Sequence, residues 1–142
     1  MIRKIYLASP FFNDRETGCL ERAEQILRKR GYEVFSPREH NLPDEIAGTA
    51  SWSRRTFQVD REGIEGADCI VLLYWGNYSD SGTAWECGYA YAIGKPVLVV
   101  QLGESSNLMV HEGSHTNLNG VEELEAYDFE TMPVLKYTGK MY

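Results

Sequence analysis

Basic residues are scarce in this chain: 14 lysines and arginines stand against 21 aspartates and glutamates, for a formal charge of −7. Nucleic acid polymers and anionic membranes both recruit cationic surfaces, so neither fits as a partner. Cysteine is scarce as well. Cys19, Cys69 and Cys87 are an odd number with no CxxC spacing, and none stands near a histidine pair. That fits a reducing compartment and gives no support to a zinc site. Cys69 and Cys87 fall in apolar segments and read as small core residues. Long apolar runs are missing too: "CIVLLYW" and "PVLVVQL" are far shorter than a membrane span. The opening "MIRKIYLASPFF" runs into Asn13-Asp14-Arg15-Glu16 with no small-residue cleavage site, so it reads as a strand rather than a signal peptide. The expectation is a soluble, cytoplasmic protein. No GxGxxG follows the first strand, and no GxxxxGK with Ser or Thr occurs anywhere. The standard phosphate cradles of dinucleotides and nucleoside triphosphates are therefore absent.

What is present is an α/β pattern. With 142 residues, 43% of them hydrophobic, the chain has the size of one domain with a real core, spanning residues 1–142. Residues 2–8 form a β-rich run that stops at Ser9-Pro10. From 16 to 30, Leu20, Ala23, Ile26 and Leu27 repeat at helical spacing and Gly31 follows as a stop. "YEVFSP" reads as a second strand, and residues 37–52 as a long loop covering a pocket. "RRTFQVDREGIEGAD" reads as a helix with Phe57, Ile64 and Ala67 on one side. It leads into "CIVLLYW", then loop and helix, then "KPVLVVQ". "NGVEELEAY" reads as a short helix and "PVLKY" as a fifth strand or tail. Alternating strands and helices of this kind make a doubly wound parallel sheet of five strands with helices on both faces. Ligands then sit at the carboxyl ends of the strands, which points to the loops at residues 9–14, 76–82 and 103–111.

The acids are the informative residues. Asp60 lies mid-helix, three after Phe57 and four before Ile64, where a carboxylate is costly unless it is paired, with Arg54, Arg61 or a more distant partner, or functional. Thr83-Ala84-Trp85-Glu86 matches a capping box, in which Glu86 reaches back to the Thr83 N–H. The same first turn would hold Glu86 ionised at the mouth of the sheet, as a nucleophile at an electrophilic sugar carbon requires. Asp80, six residues earlier, would face the same crevice, and two carboxylates are the minimum equipment for cleaving a glycosidic bond. Tyr6, Phe11, Phe12, Trp75 and Tyr78 are flat side chains on which a planar base would stack. His111 and His115 are four apart, but "MVHEGSHTN" reads as loop, so the pair is solvated and no metal is expected.

At this point the pieces resemble a known family. "IYLASPFF" with "NDR", "VDREGIEGAD", "DSGTAWECGYA", "NLM" and a terminal Tyr142 together resemble the nucleoside 2-deoxyribosyltransferases over nearly the whole chain. The resemblance implies a flavodoxin-like sheet and an enzyme that needs no cofactor. Such an enzyme moves a 2-deoxyribosyl group between free nucleobases by double displacement, with net retention. It implies Glu86 as nucleophile, with Tyr6 beside it. Of the two pocket aspartates, Asp60 and Asp80, one serves the base and the other the sugar, with Asp80 favoured for the sugar side, and Phe12 is the loop aromatic. It further implies that Asn107 and Met109 are lent by a neighbouring subunit of a homo-oligomer, built from dimers and reaching a hexamer, and that the Tyr142 carboxylate lines the pocket. The loop before Glu86 departs from the family, carrying Ser-Gly-Thr-Ala-Trp where others have more glycines or Leu or Met. The nearest competing activity is an N-hydrolase of deoxynucleoside 5′-monophosphates, which would enlist Ser9 and Arg15 for the phosphate. A non-catalytic nucleotide- or flavin-binding module is the alternative of another class.

Overall fold

The computed structural model describes residues 1–142. In β1 (Lys4–Ala8), Ile5 and Leu7 face one side of the sheet and Tyr6 and Ala8 the other, all fully buried. α1 (Asp14–Lys29) starts where Asn13 accepts the Glu16 N–H at 2.9 Å, and the Glu16 carboxylate in turn accepts the Phe12 N–H at 3.0 Å. Leu20, Ala23, Ile26 and Leu27 are buried, as their spacing predicts. β2 (Glu33–Phe35) pairs with β1.

The loop at 37–52 is shorter than expected. A 3-10 turn occupies Pro37–Glu39, and α2 (Ala50–Gly66) starts as soon as Thr49 accepts the Trp52 N–H at 3.2 Å. Phe57, expected on the buried stripe, is 51% exposed. A helix of this length runs about 25 Å, whereas a five-residue strand covers about 17 Å. The first half of α2 therefore overhangs the strand ends, and only Ile64 is buried within it.

β3 (Cys69–Tyr74) is buried throughout, as is β4 (Val97–Gln101), and α3 (Ser81–Ala92) connects them. β5 (Ser105–Ser106) and α4 (Leu108–Glu112) follow. The fifth strand of the main sheet is β6 (Thr116–Leu118), from a segment whose polar, three-residue length carries no alternation to read. Residues 133–137 run as a tail tied to it, with the Leu135 N–H on Thr116 Oγ1 and the Asn117 N–H on the Leu135 carbonyl, both at 2.9 Å. "NGVEELEAY" supplies a 3-10 helix, Val121–Glu125, and β7 (Lys140–Met141) pairs with β5 in a separate ribbon.

The main sheet is parallel with order β2-β1-β3-β4-β6, a flavodoxin-like α/β fold. α1 and residues 121–129 cover one face, while α2, α3 and α4 cover the other. No helix is long and apolar enough to cross a membrane. The direction of winding reverses between β1 and β3, so the crevice of this fold opens at their carboxyl ends.

Candidate active site

Tyr6 points from β1 into the α2/α3 layer, and its phenol donates a hydrogen bond to Glu86 Oε2 on α3. Asp60 on α2 completes the group. Asp60 and Glu86 line one cleft of about 290 Å³, with Phe57, Arg61, Gly82 and Trp85. Burial pushes the Glu86 carboxyl up to about 7, the Tyr6 hydrogen bond pulls it down, and the Asp60 charge pushes it up again. Asp60 is raised to about 6 by burial. No arginine neutralises it: Arg61 is engaged with Glu65 at 3.0 Å. Burial first, then the charges of Glu86 and Asp60, hold the Tyr6 phenol far above the ordinary range. It therefore stays a hydrogen-bond donor at any working pH.

The capping box expected at Thr83 does not form. α3 starts two residues earlier, at Ser81; Thr83 lies inside it, 3% exposed, and Glu86 sits in the second turn. The end of the preceding turn makes the box instead, between Asn77 and Asp80. Glu86 is thus released from helix punctuation, and its carboxylate faces Tyr6.

Asp80 is 2% exposed and holds the loop after β3 together. Its Oδ1 accepts the Trp75 N–H at 3.1 Å and its Oδ2 the Asn77 N–H at 2.9 Å. Burial raises its pKa, and the backbone amides of Asn77, Trp75 and Gly76 oppose that rise. Successive amides converging on one point make an anion nest, and here an internal carboxylate fills it. Two glycines bring the loops after β3 and β4 backbone to backbone. A Cβ on Gly76, whose φ is +74°, would stand 2.2 Å from the Ser105 carbonyl oxygen, and one on Gly103 would stand 1.8 Å from that of Trp75.

The remaining sequence-derived residues gather elsewhere. Asp80, Asn107, Met109 and Tyr142 line a second cavity of about 400 Å³ that shares no lining residue with the Glu86 cleft. Asn107 caps α4 by accepting the Met109 N–H at 2.9 Å, and Met109 is 75% exposed. Tyr142 is fastened by its own N–H to the Ser106 carbonyl, by its carbonyl to the Leu108 N–H, and by its phenol to the Gly76 carbonyl. Phe12 is 79% exposed and stacks beside Phe11. Ser9 donates to the Pro10 carbonyl at 2.8 Å, and the Arg15 guanidinium lies over the Trp75 ring at 4.8 Å. His111 closes α4, whereas His115 contacts the Met132 carbonyl, so the two share no helix face. Phe57, Arg61 and Trp85 line the cleft although no motif in the sequence marks them as site residues. Their signal was available: Phe57 and Arg61 stand three before and one after Asp60, and Trp85 directly precedes Glu86.

The family model for nucleoside 2-deoxyribosyltransferase matches residues 5–120. A solved structure, 2-deoxyribosyltransferase from the psychrotolerant bacterium Bacillus psychrosaccharolyticus, superposes with a TM-score of 0.89 at 43% identity, covering 95% of this chain and 99% of that one. Nucleoside deoxyribosyltransferase of Lactobacillus johnsonii is 35% identical over 95 residues, which are 64% of this chain and 63% of that protein. A candidate 2′-deoxynucleoside 5′-phosphate N-hydrolase 1 of Thermofilum pendens is 31% identical over 103 residues, 71% of this chain and 69% of that one.

Proposed function

We propose, from the premise that this chain belongs to the nucleoside 2-deoxyribosyltransferase family, a family of enzymes, that it exchanges the base of 2′-deoxyribonucleosides through a glycosyl-Glu86 intermediate. The observation that carries the reading is Glu86 and Asp60 together in a concave cleft between α2 and α3, with the buried Tyr6 phenol donating to Glu86 from beneath. The Glu86 carboxylate attacks C1′ on the face opposite the base. The C1′–N bond breaks, its electron pair stays on the base nitrogen, and a proton reaches the base from Asp60 or from water. Tyr6 occupies one carboxylate oxygen and leaves the other free to attack. A second base then displaces Glu86 from C1′, and two inversions give net retention. A 2′-hydroxyl would destabilise the oxocarbenium-like transition state and crowd the site, so deoxy sugars are preferred.

The filled nest at Asp80 favours nucleosides over 5′-monophosphates. The amides that would suit a phosphate already hold a carboxylate, Ser9 is tied to its own backbone, and Arg15 lies on Trp75. The decisive assay incubates the protein with a 2-fluoro-2-deoxyriboside and weighs it, alongside turnover of deoxyinosine and of its 5′-monophosphate. An adduct lost in Glu86→Gln, with the nucleoside preferred, is the expected result. No adduct together with no turnover would leave a binding module, and preference for the monophosphate would make the protein a hydrolase of the other kind.

The separation of Asn107 and Met109 from the Glu86 cleft of their own subunit supports a homo-oligomer with shared sites. Mixing inactive Glu86→Gln with weakened Asn107→Ala subunits is expected to restore part of the activity. Strict absence of complementation after subunit exchange would show that each subunit carries its own site.

A further inference from the structure

We propose that His40 is a positioning residue for the Tyr6–Glu86 pair and acts on it through Phe35. The His40 imidazole lies flat on the Phe35 ring, with centroids 3.8 Å apart and planes 7° from parallel. Phe35 in turn lies on the Tyr6 ring at 5.3 Å and 16°. Three rings thus form one stack, from the loop after β2 to the phenol that donates to Glu86. Phe35 has no slack toward α2, where a Cβ on Gly63 would come within 2.9 Å of its ring. A flat stack restricts the tilt of the Tyr6 ring and so keeps its O–H on the carboxylate.

A second, independent observation concerns what holds His40 in place. Glu24 of α1 is buried at 2% exposure and takes no part in the cleft. A buried carboxylate is costly unless it is paired and hydrogen-bonded. Glu24 is paired through Arg38, whose Nε and Nη2 donate to it at 2.8 and 2.9 Å. Arg28 adds a hydrogen bond to Glu39 at 3.1 Å and one to the Val34 carbonyl at 3.3 Å. Together they clamp the Pro37–Glu39 turn, immediately before His40, onto α1. The buried pair is a fastener for the turn that delivers the imidazole to Phe35.

The inference rests on the roles given above to Tyr6 and Glu86, but its test does not require turnover. The carboxyl of Glu86 is titrated by carbon-13 NMR, with its signal assigned through Glu86→Gln. Tyr6 from β1 and Asp60 from α2 face this group, and Arg61 lines the same cleft; no His40 substitution alters any of their charges. Tyr6→Phe is expected to raise the Glu86 midpoint by about one pH unit, since a hydrogen bond to the anion is lost. His40→Ala should raise it by about half as much. His40→Phe, which keeps a flat ring, should titrate as wild type, and His40→Ala/Tyr6→Phe should titrate as Tyr6→Phe alone. A His40→Ala midpoint equal to wild type, or one that adds in full to Tyr6→Phe, would overturn the inference. In exchange assays the acidic limb of kcat/KM should move with the midpoint. Absence of exchange by the wild type would refute the proposed function and leave the titration result standing.

Discussion

Glu86→Gln is expected to lower the rate of base exchange by at least about 10⁴-fold, as the loss of a covalent nucleophile does elsewhere. Glutamine has nearly the same shape, still accepts the Tyr6 hydrogen bond and leaves the cleft volume unchanged. Nucleoside binding should therefore survive while turnover fails. Chromatography of deoxyinosine with adenine measures the exchange, and equilibrium binding of the nucleoside measures the rest. Exchange within tenfold of wild type would remove Glu86 from the chemistry. A parallel loss of binding would mean that the carboxylate grips the sugar rather than attacking it.

The same substitution is expected to stabilise the fold, in a pH-dependent way. Burial lifts Glu86 from 4.5 to about 7 and Asp60 from 3.8 to about 6. Between the unfolded and folded values the native state keeps protons that the unfolded chain has lost, so stability falls as pH rises through roughly 4 to 7. Above that window both carboxylates are ionised and each opposes folding. Removing the Glu86 charge should then recover about 2 kcal/mol after allowance for solvent reaching the cleft, or about 5 °C in Tm. At pH 4, where the carboxyl is protonated in both states, the gain should vanish. Thermal melts of wild type and Glu86→Gln at pH 4 and pH 8 check this. Equal melting shifts at both pH values would mean that the effect is packing rather than charge. Under the proposed mechanism the same burial would serve function, since a carboxylate kept poorly solvated is a better nucleophile and a worse neighbour.

Both effects trace to one residue whose local sequence suggested something simpler. Thr83 and Glu86 have the spacing of a capping box, and local chemistry favours that box. It does not form because Asn77 and Asp80 cap the preceding turn first and start the helix at Ser81. Asp80 was legible as an acid near the crevice, but its service to the Trp75 and Asn77 amides was not, because a loop's conformation is set by what lies across from it. His40 carried no signal at all. Its ring matters only because β2 pairs with β1 in a register that sets Phe35 against Tyr6.

The sequence by itself determined the class of fold, the parallel character of its main sheet, the core of β1, β3 and β4, and the residues that mark the family. Period, apolar content and the order of motifs are properties of a chain before it folds, and they suffice for those. Tertiary structure alone decided that Tyr6 and Glu86, 80 residues apart, share a hydrogen bond, and that β6 rather than residues 133–137 closes the sheet. It also tied Asp80 to the Trp75 and Asn77 amides, in a cavity apart from the Glu86 cleft. Those outcomes depend on which surfaces meet across the sheet and on how deeply a carboxylate is desolvated there, and neither is written in local spacing.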